Sequence, residues 1–246
     1  MVQAPQRTAV SGPTLVRLLA RLTAADVPAS SQSLSDQLSQ WLGWTDAIAL
    51  STALNGTPPA VASGARGAGT VEQECASVRA ALADAIAGDS VLATRRRRGG
   101  ARAQTAPAQT EASYADFRQC HLALQQAMET RIGTLRGRLR SLLAAKTPEM
   151  TRLAVVDAIM ERALGARERS LFGTVPGLLG GHFERLRKAD QAPDAPADGA
   201  APADSAAAPP GAWLDVFRKD MQSVLLAELD IRFQPVEGLL AALRIS

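Results

Sequence analysis

The chain has 246 residues, a formal net charge of +3, 46% hydrophobic residues and only 4% aromatic ones. That length and apolar content allow a real core and exclude wholesale disorder, while the few aromatic and β-branched runs exclude a sheet-based fold. The two cysteines, Cys75 and Cys120, are too far apart for a metal or redox motif.

Residues 1–12 read as a loose lead-in without the basic-then-apolar pattern of a signal peptide. No run reaches the roughly 18–20 apolar residues that span a bilayer. The expectation is a reduced, cytoplasmic protein that reaches a membrane only through a partner. Residues 13–23 place Leu15, Leu18, Leu19 and Leu22 on one helical face. Ser33 can cap a second helix carrying Leu34, Leu38, Trp41 and Leu42 before Gly43 interrupts it. A third short segment runs from Thr45 through Leu54 to Asn55-Gly56, so small helices are expected around Trp41 and Trp44. After a Pro/Gly/Ala-rich loop, helical spacing returns through Val71, Cys75, Val78, Leu82 and Ile86. Residues 13–87 therefore read as a small N-terminal helical region. An Arg/Gly-rich loop follows over 88–110, with Arg95, Arg96, Arg97 and Arg98 ahead of two glycines.

The stretch 111–188 organises the rest. Phe117, His121, Leu124, Met128, Ile132, Leu135, Leu139 and Leu142 recur at steps of three and four. Thr147 can cap a second arm, Pro148 sits where its missing N–H is harmless, and Glu149 faces the positive end of the helix dipole. The expectation is a long antiparallel hairpin turning at Lys146-Thr147-Pro148, with a break or kink at Val175-Pro176-Gly177. Residues 189–210 read as a disordered Ala/Pro/Asp linker. From Trp213 the helical pattern resumes through Phe217, Met221, Val224, Leu225, Leu229, Phe233, Val236, Leu240 and Leu243. Pro235 predicts a kink or two successive helices. The fold class is all-α: a hairpin packed with a C-terminal helix over 211–246, like a three-helix bundle, plus small N-terminal helices.

Chemistry is sparse. His121 and His182 lie beside apolar positions and read as packing or rim contacts. Cys120 and His121, adjacent on a helix, point about 100° apart and cannot share a metal. Glu161 and Glu168 read as ion-pair partners of Arg162, Arg167 and Arg169. Residues 177–181 lack the Lys-Ser/Thr ending of a phosphate loop. No catalytic residue, cofactor or metal ligand can be nominated, and the expectation is a non-enzyme.

The first hairpin arm offers the candidate interaction residues. On a helical wheel, Arg131 and Arg138 flank its apolar stripe on one side, and Arg136 and Arg140 on the other. Charges that border a seam point to helix partners, whereas a groove-reading helix gathers them on one exposed face. Gly133 and Gly137 lie on a small back face with Thr130, Thr134, Ser141 and Ala144. Either a helix approaches closely there or the face is exposed; if covered, internal packing is favoured over a second molecule. The four-arginine run could hold phosphates weakly, but no neighbouring aromatic is available to stack a base.

Leu15-Val16-Arg17-Leu18-Leu19, Gln40-Trp41-Leu42-Gly43-Trp44-Thr45-Asp46 and Leu226-Ala227-Glu228-Leu229-Asp230-Ile231-Arg232-Phe233-Gln234-Pro235-Val236-Glu237-Gly238-Leu239-Leu240 resemble an uncharacterised bacterial family, domain of unknown function DUF3348. The resemblance carries no catalytic residues. It implies an accessory protein encoded beside MotA- and MotB/OmpA-like ion-driven units, including Zorya-type phage-defence clusters. The expected function is a non-enzymatic helical adaptor of such a membrane-motor-like assembly. The alternative is a nucleic-acid-binding effector using the basic hairpin and the arginine loop.

Overall fold

The computed structural model describes residues 12–25, 32–56, 68–93, 113–191 and 211–245. Eight helices account for nearly all of them: α1 (Thr14–Thr23), α2 (Leu34–Trp41), α3 (Trp44–Asn55), α4 (Ala68–Gly88), α5 (Tyr114–Ala144), α6 (Pro148–Phe172), α7 (Val175–Gln191) and α8 (Ala212–Ile245). There is no strand among the described residues, and no helix there is long and apolar enough to cross a membrane. The arginine run at 95–98 and the linker from 192 onward lie outside the described residues.

α5 is the axis. Its stripe is buried from Phe117 to Leu139, with Met128 and Leu139 fully enclosed, but at its end Leu143 is buried and the expected Leu142 is only half-buried. Burying each such side chain stabilises the fold by about 1.5–3 kcal/mol. α6 folds back antiparallel along one side of α5. Thr147 accepts a hydrogen bond from the Met150 N–H, and Pro148 occupies the first helical position, so the hairpin turn is built as read. α8 runs parallel to α5 on another side, with Phe217, Val224, Leu225 and Val236 turned inward. Lys146 Nζ donates to the Leu243 carbonyl at 3.0 Å and ties the hairpin turn to the far end of α8.

Four features differ from the sequence reading. α4 is a full member of the bundle: Val71, Cys75, Leu82 and Ile86 are buried, and the helix lies antiparallel in the groove between α5 and α8. Arg79 clasps Asp230 and Glu237 on α8, and Arg138 of α5 pairs with Glu74. Secondly, α8 is one helix through Pro235. Phe233 and Val236 on either side of the proline are buried in the core, so packing of the flanking residues outweighs the lost hydrogen bond. Thirdly, the chain breaks at Gly173-Thr174, and Pro176 falls in the first turn of α7, where it costs no helix hydrogen bond. Lastly, Trp44 is 83% exposed and centres no core; α2 and α3 bury no side chain and lie on the outer side of α6.

The opposite end closes around aromatic rings. Phe183 of α7 sits 5.0 Å from Phe217, 5.1 Å from Trp213, 5.5 Å from Tyr114 and 5.9 Å from Phe117, centroid to centroid. Gly180 makes room for this cluster, because a Cβ there would lie 2.9 Å from the Tyr114 ring. α1 crosses α7 and α8 above it.

Candidate interaction site

α6 and α8 both pack on α5 but diverge from one another, leaving a half-open cleft of about 820 Å³ between them. Ile132 and Gly133 of α5 form its floor. Leu164, Gly165 and Phe172 of α6 make one wall, Ile231 and Pro235 of α8 the other, and Leu15 and Leu19 of α1 close one end. Trp41 of α2 reaches the rim, with the Arg167 guanidinium 4.9 Å from its ring centre. The lining is mostly apolar. Its carboxylates are all held: Glu129 by Arg169 at 3.2 Å, Glu161 by Arg136 and Arg140, and Glu168 by Arg232 at 3.1 Å.

The candidate arginines of α5 therefore divide. Arg136 reaches Asp157 at 2.6 Å, and Arg140 reaches Asp157 at 2.9 Å and Glu161 at 2.5 Å, zipping α5 to α6. Arg138 pairs with α4. Arg131 is exposed and makes no ion pair among the described residues. Glu161 and Glu168 of α6 do form ion pairs, but across helices, with Arg136 and Arg140 of α5 and Arg232 of α8; Arg162 meets Asp46 of α3, and Arg167 stacks over the Trp41 ring.

Gly133 and Gly137 are not brought against another helix. A Cβ at Gly133 would meet nothing within 4 Å, and at Gly137 only the end of Arg140 at 3.8 Å. Internal packing does not cover this face. Gly133 borders the cleft, whereas Gly137 does not. Since the backbone is helical and the space is open, Gly137→Ala is expected to stabilise the protein by about 0.5–1 kcal/mol, from helix propensity alone. Urea unfolding checks this; an unchanged midpoint would mean that the open face is not helical in solution.

Behind the cleft lies a polar network that the sequence reading passed over. Glu228 is fully buried in the core between Leu225 and Leu229. Gln125 Nε2 donates to both of its oxygens at 3.0 Å and to the Phe172 carbonyl at 3.1 Å. Arg232 donates to Glu228 at 2.9 Å, and its guanidinium lies 4.1 Å from the Phe172 ring centre. His121 Nε2 is 3.5 Å from Glu228, too long for a strong hydrogen bond. Burial would push the Glu228 carboxyl up, but His121, Gln125 and Arg232 together outweigh it and hold the group below its ordinary value. A signal was present: Glu228 and Arg232 fall at i, i+4 inside the apolar stripe of α8, where a charge stays only if paired. His182 binds Asp220 at 2.8 Å near the aromatic end, the rim contact expected of it.

The thiols are poor nucleophiles. Burial, reinforced by Asp89, pushes Cys120 up to about 12, and burial with Glu74 raises Cys75. Among the described residues, no group of three or more His, Cys, Asp or Glu side chains could hold a metal ion.

The described residues form an all-α bundle with an apolar cleft whose lining carboxylates are bound to arginine. The chain belongs to the family described as "Protein of unknown function (DUF3348)", which matches residues 1–245. No curated protein and no solved structure matches it.

Proposed function

We propose that this protein is a non-enzymatic helical adaptor that uses the cleft between α5, α6 and α8 to hold a protein partner. The observation that carries the reading is the combination of a large, half-open apolar lining with carboxylates already neutralised by arginine. Such a lining favours shape and apolar contact; acid–base chemistry would need a group with a free proton site. The family resemblance supports a MotA/MotB-OmpA-like membrane assembly as the setting, with phage defence as its biological context. Nucleic-acid binding through the hairpin is less favoured, because Arg136, Arg138, Arg140, Arg162 and Arg169 are engaged by carboxylates and offer that much less charge to phosphates.

The test is affinity purification of the full chain from its native host, comparing wild type with Leu164→Asp. The account expects a MotA- or MotB/OmpA-like protein to co-purify with wild type and to be lost with the variant, at a similar unfolding temperature. Equal co-purification by both chains, or no specific partner, would contradict it.

A further inference from the structure

We infer that the occupant of the cleft is a short amphipathic helix of the partner, with a narrow apolar stripe bordered by an acidic flank. This rests on the adaptor reading and specifies its ligand. Dimensions come first. Along α6 the cleft runs from Glu161 to Phe172, about 16 Å at the helical rise per residue. A guest helix of about three turns spans that length, and the open side of the cleft leaves its far face in solvent.

The floor suits that guest. Gly133 of α5 and Gly165 of α6 both line the cleft; a Cβ at Gly133 would meet nothing within 4 Å, and one at Gly165 only the end of Arg169 at 3.5 Å. Each glycine costs a helix interior about 1 kcal/mol against alanine. Their absence of side chains lets a third helix approach the seam closely.

The chain's own segments outside the described residues are poor candidates for the guest. Residues 1–11, 26–31, 57–67, 94–112 and 192–210 contain no Leu, Ile, Phe, Tyr or Trp, so none can supply large apolar anchors. Charge supplies the flank. Glu129, Glu161 and Glu168 are each bound by arginine, whereas the exposed Arg167 at the rim faces only the Trp41 ring and has no carboxylate partner among the described residues. Arg167 is thus the lining cation left without a carboxylate among the described residues, while Arg232 is shared between Glu168 and the buried Glu228. A guest helix with Leu-like residues at i, i+3 or i+4 and i+7, and Asp or Glu beside them, complements both features.

The experiment places a benzophenone amino acid at Leu171, a cleft residue that is 53% exposed, in the full-length protein expressed in its native host. After irradiation, mass spectrometry locates the cross-link. The expected adduct lies in another polypeptide, within a segment showing that stripe and acidic flank. It disappears with the double variant Gly133→Leu, Gly165→Leu and persists with Gly137→Leu, whose site is outside the cleft. A synthetic peptide of the captured segment should bind the purified full chain in fluorescence anisotropy, about tenfold more weakly after Arg167→Glu. That variant lies at the surface and keeps the test independent of any folding defect in the double variant. Cross-linking to a lipid, to a second copy or within the chain overturns the proposal, as does an adduct in a segment without the pattern. If co-purification depends on Leu164 while the adduct lies outside any such helix, the adaptor stands and the helix assignment falls. No adduct and no partner removes both.

Discussion

Replacing Arg232 with methionine is expected to lower the free energy of unfolding by about 3–5 kcal/mol. Methionine keeps most of the length and can still pack against Phe172, so the loss reports charge more than volume. What remains is a fully buried Glu228 carboxylate whose nearest cation is gone, with Gln125 and a distant His121 as its partners. The pH dependence separates this from a packing defect. In wild type the Glu228 carboxyl is held below its ordinary value of 4.5, so its contribution is complete above that pH. It is lost as pH falls through the lower folded value. In the variant the protonated carboxyl needs no cation. The stability gap between wild type and variant should therefore narrow as pH drops below about 4.5. Adding Glu228→Gln to Arg232→Met should recover most of the loss, because both charges are then absent. Chemical unfolding at pH 7 and pH 4 measures both effects. A gap that does not change with pH and is not rescued would mean that Glu228 is already neutral in the folded protein.

Phe183→Ala should have a comparable effect for a different reason. The ring is buried and touches Tyr114, Phe117, Trp213 and Phe217, so truncation removes its transfer energy and leaves a cavity among rigid neighbours. The cost is about 3–5 kcal/mol, or roughly 10 °C in unfolding temperature for a chain of this size. Because these rings join α5, α7 and α8 and none of them lines the cleft, partner binding measured below the unfolding transition should be retained. Calorimetry with a parallel binding measurement checks this. Loss of binding in a folded Phe183→Ala protein would show that the two ends are coupled.

The helices were legible because each depends on local pattern. The α5 stripe, the Thr147-Pro148 cap and the apolar repeat of α8 all follow from residues three or four apart. What escaped depends on which helices meet. Nothing in the spacing of α4 distinguishes a helix laid between α5 and α8 from a peripheral one, and its antiparallel docking is fixed by residues such as Arg79 and Asp230, 151 positions apart. The small helices expected around Trp41 and Trp44 do form, as α2 and α3, but Trp44 is exposed and starts a helix that buries no side chain. At the candidate site, three of the flanking arginines of α5 meet helices of the chain itself, Arg136 and Arg140 on α6 and Arg138 on α4. The cleft itself has no sequence signature, since it is the space left where α6 and α8 diverge. Gly133 marked one edge of it. Gly165, Leu164 and Ile231 became cleft residues only through the crossing of three helices.

The central claim is that the cleft is where a partner sits, and amide hydrogen exchange of the full chain with and without its co-purified partner tests it most directly. The account predicts added protection on α6 over 161–172 and on α8 around 231–235, with the exposed surface of α3 unchanged. Protection confined to α2 and α3, with the cleft segments exchanging as they do in the free protein, would contradict it.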